Sequence, residues 1–336
     1  MYYNLIKTPA LIKTGNHTLQ NIDLHLQQSH LFYPSKILVT QKNLYEIYKN
    51  HIDYNEFEQI LFYNGGEVCE SQDLIKSIKD SDSLIVAFGG GSILDLVKYA
   101  ASKCDLPYIT VPSTLSNDAI YSCVARLTQN GKKRSFGVQP PTGIIVDLEI
   151  IRKSPKELLL AGVGDLITNL SAIQDWKLAH KNIKEPINEL ALMLAKEAAI
   201  GLFSYSSEDL YTDDFLMDLT NGLISSGLSM IISGNTRGTS GSEHLISHAI
   251  DEYFNDKSTI HGIQAAWAFL KIEEQIRKNP VFTDKLSNFY KKIGLNTIID
   301  KCIKWEDDDF HSLIPYAKKI RPRYTIFNTI SAESTH

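Results

Sequence analysis

The chain has 336 residues, which exceeds the usual size of one compact core, so we expect two packed domains. Its hydrophobic fraction of 43% and charged fraction of 22% are typical of a folded globular protein. The formal net charge is -5, and no run of lysine and arginine is long enough to follow a phosphate backbone. These features argue against nucleic acid as a partner.

The sequence contains no obvious membrane or export signal. No apolar stretch approaches the ~20 residues that a membrane helix requires, and the N-terminus lacks a basic segment followed by an apolar one. We therefore expect no membrane span and a cytoplasmic location. The four cysteines are scattered without a close pair, which indicates reduced structural residues and neither a zinc site nor a redox couple.

The first half of the chain alternates β-branched runs with amphipathic stretches, a pattern that predicts a parallel sheet with crossover helices. The predicted strands are Lys36–Thr40, Gln59–Tyr63, Ser83–Phe88, Tyr108–Val111 and Gly143–Asp147. Two further β-rich runs between Tyr121 and Val138 are joined by Gln129-Asn130-Gly131, which predicts a hairpin beside the sheet.

The pattern becomes helical after Lys153. Ser154 is a capping residue type and Pro155 suits the first helical position, so a helix is predicted to begin there. Only the tail around Arg321-Pro322-Arg323 has an irregular pattern. The predicted fold is α/β, with an N-terminal parallel-sheet domain over residues 1–153 and an all-helical domain over residues 154–336.

A glycine turn follows the third predicted strand. Gly89, Gly90, Gly91 and Ser92 come directly before the helical run Ile93–Ser102. A strand, glycine turn and helix in this order favour a pyrophosphate, because the backbone can approach closely and the helix N-terminus attracts negative charge. Asp95 either caps this helix or bonds the cofactor. The G-x-G-x-x-G fingerprint is absent, so an ordinary Rossmann dehydrogenase is not supported.

Two further loops are expected at the same edge of the sheet, because parallel strands present their carboxyl ends together. The hydroxyls of Ser113, Thr114 and Ser116 are candidates for holding a nicotinamide or ribose. Asp118 either stabilises this turn or accepts a hydrogen bond from a substrate hydroxyl. Gln41 and Lys42 follow the first predicted strand, where NAD-specific folds carry an acid. A neutral amide beside a lysine predicts that NADPH is accepted at least as well as NADH, the alternative being that Lys42 is only solvated.

The helical half contains three histidines with metal-ligand character. His244 and His248 are four residues apart and therefore share one helical face. His261 would lie about 25 Å from His244 along one continuous helix, so the chain must turn between them, and residues 251–258 supply that turn. Asp165 follows Gly162-Val163-Gly164 and is either the N-cap of a helix starting at Leu166 or a metal ligand.

Taken as an ordered set, these segments resemble one known family. The runs at 89–95, 112–122, 162–179, 240–251 and 261–262 occur in the order and spacing of the iron-containing alcohol dehydrogenase and dehydroquinate synthase-like superfamily. The runs around Asp175 and His248 are similar to those of its glycerol-1-phosphate dehydrogenase branch.

The resemblance implies an NAD(P)H-dependent oxidoreductase with one divalent ion, Zn, Ni or Fe, and a small phosphorylated substrate. Asp165, His244 and His261 match the metal-ligand positions, and His248 and Asp118 match substrate-contacting positions. The cofactor-contacting positions are matched by Gly89, Gly90, Gly91, Ser92, Asp95, Ser113, Thr114, Ser116 and Ser122. A homo-oligomer is also expected.

This sequence departs from the branch at two places that bear on the substrate. Asn117-Asp118-Ala119 replaces His-Asp-Gly, and Arg237-Gly238 replaces Arg-Pro. The expected reaction is the interconversion of dihydroxyacetone phosphate and sn-glycerol 1-phosphate, with another polyol phosphate as the alternative. A dehydroquinate synthase-like lyase and a silent nucleotide-binding protein are the remaining alternatives. For the substrate phosphate, the candidates are His248, Arg237 and Lys177.

Overall fold

The computed structural model describes residues 8–79, 82–306 and 309–330. The N-terminal segment considered above for an export signal lies outside these residues. The chain divides into two compact units, one formed by 1–115 and 119–154 and the other by 116–118 and 155–336. The short segment 116–118 therefore belongs to the second unit, although its neighbours in sequence belong to the first.

The first unit is built on a six-stranded sheet in the order β1-β8-β5-β4-β2-β3. All neighbouring strands in it are parallel, and the four strands β2, β4, β5 and β8 are fully buried, as their apolar sequences indicate. The strands are β1 (Leu11–Gly15), β2 (Lys36–Thr40), β3 (Gln59–Phe62), β4 (Leu84–Gly89), β5 (Tyr108–Pro112) and β8 (Gly143–Asp147).

Five of these strands were predicted from the sequence to within one residue at each end, and β1 was missed. Leu11 is the one fully buried residue of β1, so its short sequence shows little hydrophobic pattern. This strand exists because it pairs in register with β8, Leu11 opposite Gly143, across more than a hundred residues of chain. A local pattern does not contain that information.

The helices of the first unit are α1 (Ile22–Gln28), α2 (Lys42–Tyr48), α3 (Val68–Ile78), α4 (Gly91–Cys104) and α5 (Leu148–Arg152). From β2 the chain continues to β3 at one edge of the sheet, whereas from β4 it continues to β5, in the opposite direction across the sheet. The strand order thus reverses between β2 and β4, and such a switch point is where open parallel sheets bind ligands.

The predicted hairpin forms a separate two-stranded sheet of β6 (Val124–Gln129) and β7 (Lys132–Gly137). Its turn residues Asn130 and Gly131 have φ angles of 53° and 74°. Both values are positive, as the tight hairpin turn that matches the strand twist requires.

The second unit is helical throughout its described residues. Its α-helices are α6 (Lys156–Ile167), α7 (Asn169–Ile183), α8 (Glu189–Ile200), α9 (Asp213–Ser233), α10 (Ser242–Tyr253), α11 (His261–Lys271), α12 (Pro280–Ile293), α13 (Leu295–Cys302) and α14 (Phe310–Ile320). The predicted break between the histidines is confirmed, because α10 ends at Tyr253 and α11 begins at His261.

Helices α6 and α11 pack unusually closely. A Cβ on Gly164 would lie 2.5 Å from the carbonyl oxygen of Gly262, and a Cβ on Gly262 would overlap the Ala161 backbone. Gly164 therefore lies inside a helix and permits close packing. The expectation that these glycines precede a helix starting at Leu166 is wrong.

Two other sequence-based expectations need correction. Ser154 does not cap α6; its hydroxyl donates back to the Ile151 carbonyl oxygen at 2.7 Å, and Pro155 occupies the N-cap. By length and composition alone, the 21-residue helix α9 could cross a membrane. The expectation that no apolar stretch approaches this length is therefore wrong. In the structure 61% of its apolar window is buried, as in a core helix.

Candidate active site

Asp165, His244 and His261 come together in the second unit although they lie on three helices. One ligand atom from each lies within 4.8 Å of the others. The Nε2 atoms of His244 and His261 are 3.4 Å and 3.9 Å from the same oxygen of Asp165. One carboxylate oxygen and two imidazole nitrogens form a donor set suited to a divalent transition metal.

The second nitrogen of each ring has its own polar partner. Nδ1 of His244 is 2.8 Å from a carboxylate oxygen of Glu243, and Nδ1 of His261 is 2.8 Å from the Ser247 hydroxyl. Gln264 donates to that hydroxyl at 2.9 Å. These contacts orient both rings so that Nε2 faces Asp165, which is the arrangement expected of metal-binding histidines.

The pKa shifts of Asp165 and His244 suit a metal-binding site. Although burial opposes the charged form, the hydrogen bonds that the His244 ring donates to Asp165 and Glu243 raise its pKa to about 9. Against the effect of its own burial, His244 lowers the pKa of Asp165, and His261 adds to the effect. The carboxylate is thus held in the ionised form that a metal ligand needs.

Asp165 lies inside α6 and not at a helix N-terminus, so its interpretation as an N-cap is wrong. The 116–118 segment supports it, because the backbone N–H of Asp118 donates to its second oxygen at 3.2 Å. Asp118 begins a short 3-10 turn and is partly exposed. The structure therefore brings the backbone of Asp118 to the candidate ligand Asp165. A role for the Asp118 side chain stays a prediction.

His248 lies beside the metal cluster, one helical turn from His244, as predicted. Its ring centroid is 6.2 Å from that of His244 and 5.3 Å from that of His261. Nη2 of Arg321 is 3.2 Å from its Nδ1. Arg321 is not among the residues that the sequence predicted for the site, and it lies in the tail expected to be irregular.

The other two phosphate candidates are placed differently. Lys177 is exposed on α7. Arg237 is 3% exposed. It donates to the Tyr324 carbonyl oxygen at 2.9 Å and to a carboxylate oxygen of Glu185 at 2.8 Å. Neither residue is therefore a good candidate for contacting the substrate.

Asp175 supports the helix that carries two of the histidines. Its carboxylate accepts from the backbone N–H of Ser242 at 2.6 Å, from Arg277 at 2.8 Å and from the backbone N–H of Ile326 at 2.9 Å. It thus caps the N-terminus of α10, where Gly241 provides no side chain. A Cβ on Gly241 would lie 2.7 Å from Asp175, which explains the glycine.

The glycine turn of the first unit lies at the carboxyl end of β4. A Cβ on Gly89 would lie 2.7 Å from the side chain of Ile93, so only glycine fits against α4. Helix α4 begins at Gly91 with no acidic residue in its first turn, which leaves its positive end available to a phosphate. Ser92 is exposed at this position.

The loop after β5 lies beside this turn, as predicted. A Cβ on Gly90 would lie 3.6 Å from Thr114 and 4.0 Å from the Ser113 hydroxyl. The Thr114 hydroxyl is buried and has no hydrogen-bond partner among the described residues. A buried hydroxyl without a partner, next to a glycine turn, fits a site that receives a polar ligand. Ser116 belongs to the second unit.

Gln41 follows β2 on the other side of the switch point. Thr40 pairs with Phe88 in the sheet, so Gln41 and Gly89 follow neighbouring positions. Its amide donates to the Asn64 carbonyl oxygen at 2.8 Å. The next residue of that loop, Gly65, has a φ of 84°, and a Cβ there would lie 2.7 Å from the Ser92 backbone. The dipeptide Gly65-Gly66 was the overlooked signal for this part of the site.

Asp95 and Ser122 are tied to a buried lysine. Lys98 donates to Asp95 at 3.2 Å and to the Ser122 hydroxyl at 2.8 Å, and the other Asp95 oxygen accepts from the Arg126 backbone at 3.0 Å. Asp95 therefore does not cap α4. Its contacts hold α4 against β6, and contact of either residue with a nucleotide stays a prediction.

Comparison with known proteins places this arrangement in a class. Residues 24–155 match the family model described as iron-containing alcohol dehydrogenase. A solved structure described as a probable glycerol dehydrogenase from Sinorhizobium meliloti superposes with a TM-score of 0.76 at 16% identity, covering 98% of this chain and 94% of that one. The predicted fold class is confirmed.

Curated relatives define the branch. Proteins named glycerol-1-phosphate dehydrogenase [NAD(P)+] from Methanococcus aeolicus and Methanococcus maripaludis are 34% and 31% identical to this chain. The alignments cover 98% of this chain and 96% and 95% of those proteins. The chain therefore belongs to the glycerol-1-phosphate dehydrogenase branch of the iron-containing alcohol dehydrogenase family, as the sequence resemblance indicated.

Proposed function

We propose that this protein is a metal-dependent NAD(P)H oxidoreductase that reduces dihydroxyacetone phosphate to sn-glycerol 1-phosphate and catalyses the reverse oxidation. The observation that carries the proposal is the convergence of Asp165, His244 and His261 in a chain whose relatives bear that enzyme name. An ion held by these residues would polarise a carbonyl, and the first unit would bind the nicotinamide nucleotide.

Asp165, His244 and His261 would hold one divalent ion, with Zn, Ni and Fe as the candidates. When bound, such an ion acts as a Lewis acid toward the substrate oxygen. The contacts of Glu243 and Ser247 with the histidine rings support this assignment, because they leave both Nε2 atoms to face Asp165. His248 and Asp118 are proposed to contact the substrate beside these ligands.

The nucleotide would be bound by the first unit. The glycine turn 89–91 and Ser92 would hold the pyrophosphate at the N-terminus of α4, and Ser113 and Thr114 would bond the nicotinamide half. The unpartnered Thr114 hydroxyl and the tight fit of Gly89 against Ile93 support the assignment. Ser122, Asp95 and Gln41 complete the proposed contacts of this unit, and a contact of Ser116 with the nucleotide stays a prediction.

Other functions are less well supported. The relatives carry the name of a polyol phosphate dehydrogenase and not of a lyase. A silent nucleotide-binding protein would have no reason to keep a complete ligand set with oriented rings. A longer polyol phosphate would need the same metal and nucleotide, so only its kinetics separate it. The cytoplasmic location and the homo-oligomeric state stay predictions.

The test is a spectrophotometric assay after reconstitution with Zn²⁺, Ni²⁺ or Fe²⁺. NADH and NADPH are each offered with dihydroxyacetone phosphate, and we expect consumption of the reduced cofactor equal to the glycerol phosphate formed. Asp165→Ala, His244→Ala and His261→Ala should each lose both the ion and the turnover. Full activity of a metal-free preparation, or product without net consumption of NAD(P)H, would reject the proposal.

A further inference from the structure

The C-terminal segment that follows α14 is fixed to the metal-binding helices by buried polar contacts. Arg323 donates to the carbonyl oxygens of Thr236 and Ser240 and, at 2.7 Å, to the Thr236 hydroxyl. Arg237 donates to the Tyr324 carbonyl oxygen at 2.9 Å. The segment thus runs along the loop that leads into α10.

Further contacts continue this attachment toward the end of the described chain. The Ile326 N–H donates to Asp175, the same carboxylate that caps α10. Thr325 and Asn328 form a reciprocal capping box, and Phe327 is fully buried. A segment with this many fixed points has a defined position relative to His244 and His248, because those residues lie on α10.

The sequence explains where this segment leaves the helix. Arg321 precedes Pro322, and the residue before a proline is disfavoured in the helical region. Arg321 accordingly has φ of -159° and ψ of 154°, an extended conformation that ends α14 at Ile320. In extended chain, residues two apart lie on the same side, so Arg321 and Arg323 face α10 together.

Arg321 lies beside His248, next to the three candidate metal ligands. Its Nη2 lies 3.2 Å from Nδ1 of His248, whose ring centroid is 5.3 Å from that of the metal-ligand candidate His261. Arg321 thus places a guanidinium group beside His248, next to the residues that would hold the ion, whereas Arg237 is paired with Glu185 and Arg323 with the Thr236 loop.

We infer that Arg321, together with His248, binds the phosphate of the substrate. An arginine pairs with phosphate oxygens through parallel N–H bonds, which a lysine does not reproduce. This inference rests on the proposed function, and it replaces Arg237 and Lys177 as the source of the cation.

The test compares Arg321→Met with Arg321→Lys and with Lys318→Met, a matched loss of charge at an exposed residue of the preceding helix α14. Each metal-reconstituted protein is assayed with dihydroxyacetone phosphate and with dihydroxyacetone. Binding of inorganic phosphate is measured separately by calorimetry, and metal content by elemental analysis.

For Arg321→Met we expect the ratio of kcat/KM for the phosphate ester to that for the free ketone to fall about 100-fold, as two charge-assisted hydrogen bonds are lost. Inorganic phosphate should bind correspondingly more weakly, with the bound metal unchanged. Arg321→Lys should recover part of the ratio, and Lys318→Met should match the wild type.

The inference is overturned if Arg321→Met keeps the wild-type ratio, or if its loss is explained by lost metal. A wild-type protein that reduces no ketone but binds inorganic phosphate through Arg321 would uphold the anion site and reject the dehydrogenase.

Discussion

A Cβ added to Gly164 would lie 2.5 Å from the carbonyl oxygen of Gly262, so helices α6 and α11 touch through their backbones at this point. Gly262 directly follows His261, and Gly164 directly precedes Asp165. The closeness of these two glycines is therefore what brings the carboxylate of one helix to the imidazole of the other.

Replacing Gly262 with alanine should separate these helices and weaken metal binding. The new methyl group would overlap the Ala161 backbone, and such overpacking costs about 1–3 kcal/mol or more of stability. We expect a lower melting temperature and a metal affinity reduced at least tenfold. Gly201→Ala is the matched control, because a Cβ there meets nothing within 4 Å. If both variants bind metal equally well, close packing of α6 and α11 does not position the ligands.

Replacing Glu243 with alanine should weaken metal binding without removing a ligand. Its carboxylate accepts from Nδ1 of His244 at 2.8 Å and from the Gly241 N–H at 2.6 Å, so its loss frees the ring and reduces its basicity. Outer contacts of this kind are worth about 10–100-fold in metal affinity. Competition with a chromophoric chelator measures the change, with Glu197→Ala on the exposed face of α8 as control. An unchanged affinity would show that the ring is held by other contacts.

Metal affinity should increase with pH up to about pH 9. The hydrogen bonds that the His244 ring donates to Asp165 and Glu243 overcome burial and raise its pKa to about 9, so below that pH the metal-free site carries a proton that the ion must displace. Each unit of pH below 9 should therefore cost up to a factor of about ten in apparent affinity. Calorimetry in buffers of different ionisation enthalpy counts the protons released. In Glu243→Ala the increase between pH 7 and 9 should be smaller. A flat profile over this range in the wild type would contradict the prediction.

Gln41 should set the choice of cofactor. Its position after β2, adjacent in the sheet to the glycine turn after β4, is where an acid would repel the 2′-phosphate of NADPH. We expect the wild type to use NADPH at least as well as NADH, and Gln41→Asp to lower kcat/KM for NADPH by about tenfold or more while sparing NADH. Asn55→Asp introduces the same charge at an exposed position of the first unit and should change neither value. A hundredfold preference of the wild type for NADH would reject this assignment.

The sequence determined most strands of the first unit and the helical character of the second, and it singled out the three residues that converge in the structure. The strands β2, β4, β5 and β8 and the hairpin turn at Asn130-Gly131 are encoded locally, because apolar runs and positive-φ residues act over a few positions. The spacing of His244, His248 and His261, with a break between the last two, was sufficient to predict that a turn returns the chain.

Only the tertiary structure decided which contacts surround those residues. The pairing of β1 with β8, the closeness of Gly164 to Gly262 and the position of Arg321 beside His248 each join parts of the chain far apart in sequence. A local pattern records the propensity and burial of each residue but not its distant partner. For that reason the sequence placed Gly164 before a helix and the arginine tail in irregular chain. In the structure Gly164 lies at the contact between α6 and α11, and the arginine tail is fixed beside His248.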